Sequence, residues 1–483
     1  MKARLTTQTA LLTAGRASGQ ILNAILAIVV VRHLSKAEYG TFRQIYLMAA
    51  TYLQTEFGFT ESLYFFLPKF PQLRAAFVRQ TVFTVGAVQV LAGIVLLTFR
   101  QDVARFFNNP QLSDCLDLLV LYSGLLVITR IWEVELIAER RARFAAMIPL
   151  LFEALKVALS FVAIALSAGI RPLLWAFVAA SALKFLAFLF FLAREFKLFV
   201  NAGPARMALP QVRYALYLWI PGVLSGVLSI QAHQYIVGHY FDPTQYAVYA
   251  VACFQVPFVA TLSVSMSEMF LVRMTEYCAE ERITEIYRLW TNACRKALLL
   301  LIGIVAVLVI LAQPIIIVLF TNQYRDSAPL FAIMVLIFLF NGIFQDSLFR
   351  ASSAMKTYIG YNVLRASLSL VLALVGVKYW GLKGAALSIV VSLAIVNTLQ
   401  LVSCAHIMRV SFSKVLPWKD VAKMSMMAVI AALFTKLLVI MIASPTIRLI
   451  AGFPLFCMTY ASLAVWLGFV SKDELHLLRF RTT

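Results

Sequence analysis

Charged residues are scarce in this sequence. Only 13% of its 483 residues are Asp, Glu, Lys or Arg, and 62% are hydrophobic. One soluble core could not bury so many apolar side chains. Long polar stretches are lacking as well, so we expect no soluble domain of appreciable size. The composition excludes an ordinary soluble protein and predicts a chain that lies in a bilayer.

Motifs for cofactor chemistry are also lacking. The six cysteines are scattered along the chain, and no Cys-x-x-Cys pair occurs. Neither a His-Glu-x-x-His motif nor a Gly-rich nucleotide-binding loop is present. We therefore expect no metal site, no disulfide, no ATP binding and no other cofactor. We also expect that the protein is not an enzyme.

Long apolar runs fill most of the chain instead. A helix needs about 20 predominantly apolar residues to span a bilayer. Runs such as 298–311 do not alternate between polar and apolar residues, which disfavours a membrane barrel. The sequence predicts an all-α polytopic membrane protein with about fourteen transmembrane helices. The predicted segments are 9–31, 41–67, 76–98, 114–136, 147–168, 172–193, 214–237, 246–272, 295–319, 329–352, 358–378, 382–406, 421–443 and 447–470.

The net charge of +20 is best explained by orientation. Lysine and arginine are concentrated in the loops on the side of the two termini, and the positive-inside rule places that side in the cytoplasm. Nucleic acid is therefore not an expected partner. The first segment contains Arg16, Gln20 and Asn23 and is too long and too polar for a signal-peptide core, so we expect no cleavage.

A short polar hinge occurs twice. Leu34–Phe42 ("LSKAEYGTF") returns 207 residues later as Phe241–Tyr249 ("FDPTQYAVY"). Six predicted helices separate the copies, so both copies face the same side and the repeat is parallel. This pattern predicts a six-helix bundle in residues 1–200, a cytoplasmic linker in 201–213 and a second bundle in 214–408. Residues 409–483 are predicted to add two helices and a cytoplasmic tail.

Polar residues inside the first predicted segments indicate a site, because a charge in hydrocarbon is expensive and usually faces a partner or a watery cavity. Arg16, Gln20 and Asn23 share one helix face, which forms either a cavity-facing stripe or a packing seam. Glu56 and Glu61 flank Gly58 in the second segment. Glu56 is either a proton or cation site or the partner of Arg16.

Charges in the fourth and fifth segments permit two interpretations. Arg130 with Glu133, and Glu153 with Lys156, are spaced i, i+3 and could neutralise each other within one helix. Alternatively, these side chains line a cavity. Lys184, in the sixth segment, is near no acid in sequence and could snorkel to the interface.

The second half of the chain offers fewer charges. Asp346 and Arg350 are spaced i, i+4 and are expected to pair. Arg365 lies in the middle of its segment with no acid on its own helix, so it needs a partner from elsewhere or an anionic ligand. His233 could titrate, although a lone histidine is more often a packing residue.

These positions together suggest a ligand. Cations are predicted in both halves, and arginine offers charge-assisted, bidentate hydrogen bonds to phosphate. We expect Arg16, Arg130, Lys156 and Arg365 to contact phosphate in a cationic cavity, and Glu56, Glu61 and Glu133 to bind a proton or cation. The expected polar lining is Gln20, Asn23, His233, Asp346 and Arg350.

Three stretches carry a family resemblance: Val29–Phe42 ("VVVRHLSKAEYGTF"), Glu56–Phe70 ("EFGFTESLYFFLPKF") and Gln234–Tyr249 ("QYIVGHYFDPTQYAVY"). The chain resembles the Wzx-like oligosaccharide flippases of the multidrug, oligosaccharidyl-lipid and polysaccharide exporter superfamily. This resemblance implies two six-helix bundles around a central cavity, often with two extra helices. It also implies a cationic lumen that binds a polyprenyl-pyrophosphate-linked glycan, and alternating access between the bundles.

The resulting hypothesis is a flippase for an undecaprenyl-pyrophosphate-linked O-antigen or exopolysaccharide unit in the bacterial inner membrane. Membrane lipids, a glycan polymerase and export machinery are the further expected partners. The alternative in the same superfamily is a cation-coupled drug or metabolite antiporter, which would need an acid-dominated cavity. An integral-membrane glycan polymerase is disfavoured, because the longest predicted extracytoplasmic loop, 99–113, offers only Asp102 and two arginines.

Overall fold

The fold is helical throughout the part of the chain that the structure describes. The structure is a computed structural model that describes residues 2–166, 169–196, 208–254, 256–352 and 354–469, and no β-strand occurs in these ranges. The all-α fold class predicted from the sequence is therefore confirmed.

The helices follow one another with short connections. In the described part of the chain, five of the connections are themselves 3-10 or π turns: Leu53–Glu56, Pro71–Leu73, Gly226–Gln231, Asn322–Tyr324 and Val335–Gly342. The α-helices are α1 (Lys2–His33), α2 (Lys36–Tyr52), α3 (Phe59–Lys69), α4 (Arg74–Thr98), α5 (Arg100–Phe106), α6 (Pro110–Ser113), α7 (Leu116–Ala138), α8 (Ala142–Leu166), α9 (Ile170–Phe196), α10 (Ala208–Ser225), α11 (Ala232–Tyr240), α12 (Pro243–Ala252), α13 (Pro257–Ala279), α14 (Ile283–Ile310), α15 (Ala312–Phe320), α16 (Ser327–Met334), α17 (Gln345–Ala351), α18 (Met355–Ile407), α19 (Phe412–Val415), α20 (Trp418–Val439) and α21 (Pro445–Trp466).

Ten helices among the described residues are long and apolar enough to cross a membrane, so the chain is a multi-pass membrane protein. One of the ten, α18, is broken at Gly381 and covers two predicted segments. Three further predicted segments do not qualify. The second and eighth are interrupted, between α2 and α3 and between α12 and α13, and the fourth, α7, carries too many charges. The count of fourteen stays a prediction.

The chain forms two compact units. One contains Met1–Ala250 with Gln255–Thr261, and the other contains Val251–Phe254 with Leu262–Thr483. The predicted linker falls partly outside the described residues, since only 208–213 are described, as the start of α10. The predicted division into 1–200, 214–408 and 409–483 stays a prediction.

The core of the first unit lies where α3, α4, α7 and α9 meet. Phe66, Phe77, Ile131, Trp132 and Phe188 are buried in one cluster there. Within a bilayer such side chains stabilise the unit by close packing, because lipid tails are as apolar as the side chains themselves. On the other side of this unit, α8 packs between α1 and α9. The three helices α7, α8 and α9 are thereby held side by side.

The core of the second unit lies among α14, α17 and α18. Trp290 and Phe349 are fully buried there, and the indole of Trp290 donates to the carbonyl of Val415 at 2.7 Å. The last two helices, α20 and α21, pack on α14, and the Tyr460 hydroxyl donates to the Leu299 carbonyl at 2.8 Å.

The repeated hinge is a pair of helix N-caps. In the first copy, Ser35 Oγ accepts from the backbone N–H of Glu38 at 3.3 Å, and the Glu38 carboxylate accepts from the Ser35 N–H at 3.0 Å. In the second copy, Asp242 Oδ1 accepts from the N–H of Gln245 at 2.7 Å. Such caps satisfy N–H groups that the helix leaves unpaired. The Ser or Asp that the two copies share therefore caps a helix in both.

The two hinge copies also touch each other. The backbone of Gly40 packs directly against the backbone of Pro243. A Cβ atom added at Gly40 would lie only 1.8 Å from the Pro243 carbonyl oxygen. Only glycine permits this approach of α2 to the start of α12. The hinge is therefore a packing contact within the first unit as well as a turn.

Replacing Gly40 by alanine should destabilise the protein by about 1 to 3 kcal/mol, because the backbone at Pro243 must move. The measurement is the free energy of unfolding in mixed detergent. The matched control is Gly86→Ala in α4, where no atom lies within 4 Å of an added Cβ. That control should be neutral or stabilising by up to about 1 kcal/mol. Equal stability of the two variants would contradict the packing account.

Candidate functional site

A charged cavity lies inside the first unit, between α7, α8 and α9. Its volume is about 260 Å³, and its charged lining residues are Arg130, Glu133, Glu153, Lys156 and Lys184. The i, i+3 spacings on α7 and α8 place two of these side chains on one face of each helix. Because all five lie within predicted membrane segments, their charges must be compensated locally.

Arg130 holds two carboxylates at once. Its Nη1 lies 2.8 Å from Glu56 Oε1 and its Nη2 lies 2.6 Å from Glu61 Oε1. Thr60 donates a further hydrogen bond to Glu56. This fork uses the planar, five-donor geometry that distinguishes arginine from lysine.

The break between α2 and α3 makes this arrangement possible. Phe57 and Gly58 adopt left-handed backbone angles, with φ of 53° and 75°. A Cβ on Gly58 would also lie 2.5 Å from the Ala215 carbonyl oxygen of α10, so glycine is needed for both space and conformation. The break lets Glu56 and Glu61, five residues apart, reach the same guanidinium.

The two lysines of the cavity are paired as well. Lys156 Nζ lies 2.6 Å from Glu153 Oε2, as the i, i+3 spacing predicted. Asn23 bridges this pair, donating to Glu153 at 3.0 Å and accepting from Lys156 at 3.0 Å. Lys184 Nζ lies 2.6 Å from Glu133 Oε1.

Three possibilities that the sequence left open are not realised. Arg130 does not form an ion pair with Glu133, because its side chain reaches across to the α2–α3 break while Glu133 points to α9. Glu56 pairs with Arg130 and not with Arg16. Lys184 does not snorkel, because a carboxylate on the neighbouring helix α7 neutralises it. In each case the partner comes from another helix.

Arg16 is the exposed cation of this region. It lies two turns before Asn23 on the same face of α1, and Asn23 contacts Glu153 and Lys156. Unlike the other cations, Arg16 has no carboxylate within 4.0 Å among the residues that the structure describes.

Arg16 completes a set of charges that balances. We call this set the charge cluster; its cations are Arg16, Arg130, Lys156 and Lys184, and its carboxylates are Glu56, Glu61, Glu133 and Glu153. Four cations face four carboxylates, so the ionised cluster has no net charge. The sequence predicted a cationic cavity, whereas the cations and carboxylates of the charge cluster are equal in number.

Two other predicted polar residues of the first unit lie differently. Gln20 is exposed on α1. His233 is buried on α11, where its Nδ1 shares a hydrogen bond of 2.6 Å with the Tyr249 hydroxyl. That contact agrees with the interpretation of His233 as a packing residue.

In the second unit, Arg365 has no carboxylate within 4.0 Å among the residues that the structure describes. Arg365 Nη2 lies 3.4 Å from Gln400 Oε1 across the two arms of α18. Arg365 Nε and Gln400 Nε2 are both buried, with no hydrogen-bond partner within the described part of the chain. Asp346 and Arg350, which were expected to pair, form no ion pair within 4.0 Å in the same ranges.

One charged network was missed by the sequence reasoning. Arg74, at the start of α4, contacts Glu135, Glu139 at 3.1 Å and Glu195 at 3.6 Å, and Arg141 contacts Glu195 at 3.3 Å. The network ties together one end of α4, α7 and α9. The available signal was that all five residues flank segment ends on the same predicted side. Its role is structural, since it lies apart from the cavity lining.

Comparison with known proteins places the chain in context. The model of a family described as polysaccharide biosynthesis protein matches residues 29–329. A search of curated proteins found no match.

Solved structures share the fold at low sequence identity. The lipid II flippase MurJ in an inward closed conformation has a TM-score of 0.72 and 14% identity, over 95% of this chain and 99% of that chain. A MOP superfamily transporter from Pyrococcus furiosus has a TM-score of 0.60 and 13% identity, over 83% and 95%. An inward-facing multidrug resistance MATE family transporter has 0.58 and 14%, over 83% and 94%. The fold is therefore that of these membrane transporters.

The Glu133–Lys184 pair offers a test of charge compensation. Glu133→Gln should destabilise the protein by about 3 kcal/mol, because it leaves a buried ammonium unpaired. Adding Lys184→Met should recover much of that loss, and a double-mutant cycle of unfolding free energies measures the coupling.

The control for this cycle is the exposed pair Asp102–Arg105. Its coupling should stay below about 1 kcal/mol. Additive losses at Glu133 and Lys184 would show that the two charges do not depend on each other.

Proposed function

We propose, from the fact that this chain belongs to the family of polysaccharide biosynthesis proteins, that it translocates a lipid-linked oligosaccharide across the bacterial inner membrane. The substrate class is a polyprenyl diphosphate that carries an O-antigen or exopolysaccharide unit. Both termini face the cytoplasm, in agreement with the positive-inside pattern. A glycan polymerase and export machinery are the proposed partners downstream.

The charge cluster is the observation that carries this proposal. A diphosphate headgroup must leave water to cross the bilayer, and it needs cations at membrane depth. Arg16 is exposed and has no carboxylate within 4.0 Å among the described residues, so within the charge cluster it is the cation most open to a phosphate. Arg130 and Lys156 lie in the same region and can receive the second phosphate charge. Arg365, in the second unit, is proposed as a further phosphate contact, because it has no carboxylate within 4.0 Å among the described residues and its buried Nε has no hydrogen-bond partner there.

Because Arg130, Lys156 and Lys184 are each paired with a carboxylate, a phosphate that binds one of these cations must replace that carboxylate. A phosphate that takes Arg130 competes with Glu56 and Glu61 for the same guanidinium. A carboxylate that loses its cation inside the membrane is costly as an anion and takes up a proton. Glu56 and Glu61 would thus couple headgroup binding to proton uptake, and Glu133 would do so when the headgroup also takes Lys184.

This exchange also suggests how transport is driven. A ligand shifts a conformational equilibrium only by the difference in its affinity for the two states. If the Arg130–carboxylate pairs re-form in one state, the headgroup is released there. Gln20 and Asn23, on the α1 face beside the cluster, are proposed to bond sugar hydroxyls.

A cation-coupled drug or metabolite antiporter is the second candidate, since the MATE transporters share the fold. Such a function calls for carboxylates free to bind a cationic partner. Here Glu56 and Glu61 are held by Arg130, and Glu133 is held by Lys184. The pairing of these three carboxylates favours the anionic headgroup.

The test is transport in reconstituted vesicles with a fluorescent undecaprenyl-diphosphate-linked disaccharide and a quencher that cannot cross the membrane. Arg16→Gln and Arg365→Gln should each slow transport about tenfold or more, because each removes a charge-assisted hydrogen bond of roughly 1.5 to 3 kcal/mol. Expression and thermal unfolding should stay unchanged.

Arg105→Gln, in the exposed helix α5, is the control and should transport like the wild type. A wild-type protein that moves no fluorescent lipid would refute the flippase proposal. Wild-type rates in both Arg16→Gln and Arg365→Gln would leave the function standing and refute the assigned contacts.

A further inference from the structure

A second cavity opens at the start of α10, away from the charge cluster. Its volume is about 490 Å³, and it is lined by Leu209, Pro210, Arg213, Tyr214 and Tyr217. All five lining residues lie on the first turns of α10, so it is an open surface recess. We call it the α10 groove.

The first turns of α10 are firmly anchored. The buried side chain of Gln211 donates to Ser62 Oγ and to Thr81 Oγ1, both at 2.9 Å, which ties α10 to α3 and α4. Tyr214 and Val212 pack against the core of the first unit. The groove is therefore a preformed surface, which lowers the cost of ordering it around a ligand.

Aromatic rings and a cation stack beside the groove. Phe65 of α3 stacks on Tyr214, with ring centroids 4.7 Å apart and planes at 26°. Lys69 Nζ lies 4.7 Å from the centre of the Phe65 ring. Tyr217 is 60% exposed, so an aromatic face remains open to a ligand.

The charge beside the groove is of one sign. Neither Lys69 nor Arg213 has a carboxylate within 4.0 Å in the described ranges. This contrasts with the balanced charge cluster, and an anion is the complementary ligand.

The groove and the charge cluster lie along one helix. Glu61 is in the first turn of α3 and Lys69 is its last residue. Eight residues of α-helix span about 12 Å. A headgroup at Lys69 is therefore one short step from the carboxylate that Arg130 holds.

We propose that the α10 groove is the site where the headgroup of the lipid-linked saccharide first binds. Lys69 and Arg213 bind its diphosphate, and the open face of Tyr217 takes the first sugar ring. This inference rests on the proposed function, since it assigns an entry site to the same substrate.

The experiment measures binding of the fluorescent undecaprenyl-diphosphate-linked disaccharide to the full chain in phosphatidylcholine nanodiscs. The double variant Lys69→Gln/Arg213→Gln should bind about tenfold more weakly than the wild type. Tyr217→Leu should weaken binding of the disaccharide and leave binding of undecaprenyl diphosphate without sugar unchanged. The control is Lys419→Gln/Lys423→Gln, which removes two exposed lysines elsewhere and should bind like the wild type.

Equal affinity of the double variant and its control would overturn the entry site. A competition measurement gives a second way to overturn it. If added phosphatidylglycerol displaces the disaccharide as effectively as undecaprenyl diphosphate does, the groove is a phospholipid site. Transport in vesicles separates the two proposals. Groove-dependent binding without transport contradicts the function alone, and transport without groove-dependent binding contradicts the entry site alone.

Discussion

The structure of the first unit depends on the cost of an uncompensated charge in hydrocarbon. Arg130 is neutralised by Glu56 and Glu61, and Lys184 is neutralised by Glu133. Each pair joins different helices, so the pairs also fix how α3, α7 and α9 lie against one another. The same requirement explains why the charged residues inside the predicted membrane segments of this unit lie next to residues of opposite charge.

One backbone feature links fold and site. The left-handed residues Phe57 and Gly58 interrupt the second predicted segment, which is why that segment does not form one long apolar helix. The interruption also lets Glu56 and Glu61 approach one guanidinium from both sides. Similarly, α7 fails as a simple apolar span because it carries Arg130 and Glu133. The regular helices α8 and α9 hold three further charges of the cluster, Glu153, Lys156 and Lys184.

Sequence reasoning reached the helical fold, the i, i+3 pair Glu153–Lys156 and the family, which the match over residues 29–329 confirms. These depend on local periodicity and on motifs. The partners of Arg130 and Lys184 could not be predicted, because they come from helices that are distant in sequence. The hinge was recognised as a repeat, but its meaning as paired N-caps around Gly40 needed backbone geometry.

The most direct test of the exchange at the charge cluster is the number of protons taken up when the headgroup binds. Titration calorimetry of the solubilised protein with undecaprenyl-diphosphate-linked disaccharide, in two buffers of different ionisation enthalpy, gives that number. The account predicts uptake of about one proton at neutral pH, since a carboxylate that loses its cation becomes protonated. The uptake should fall in Glu133→Gln or in the Glu56→Gln/Glu61→Gln double variant. Tight binding with no proton uptake in the wild type would contradict the account.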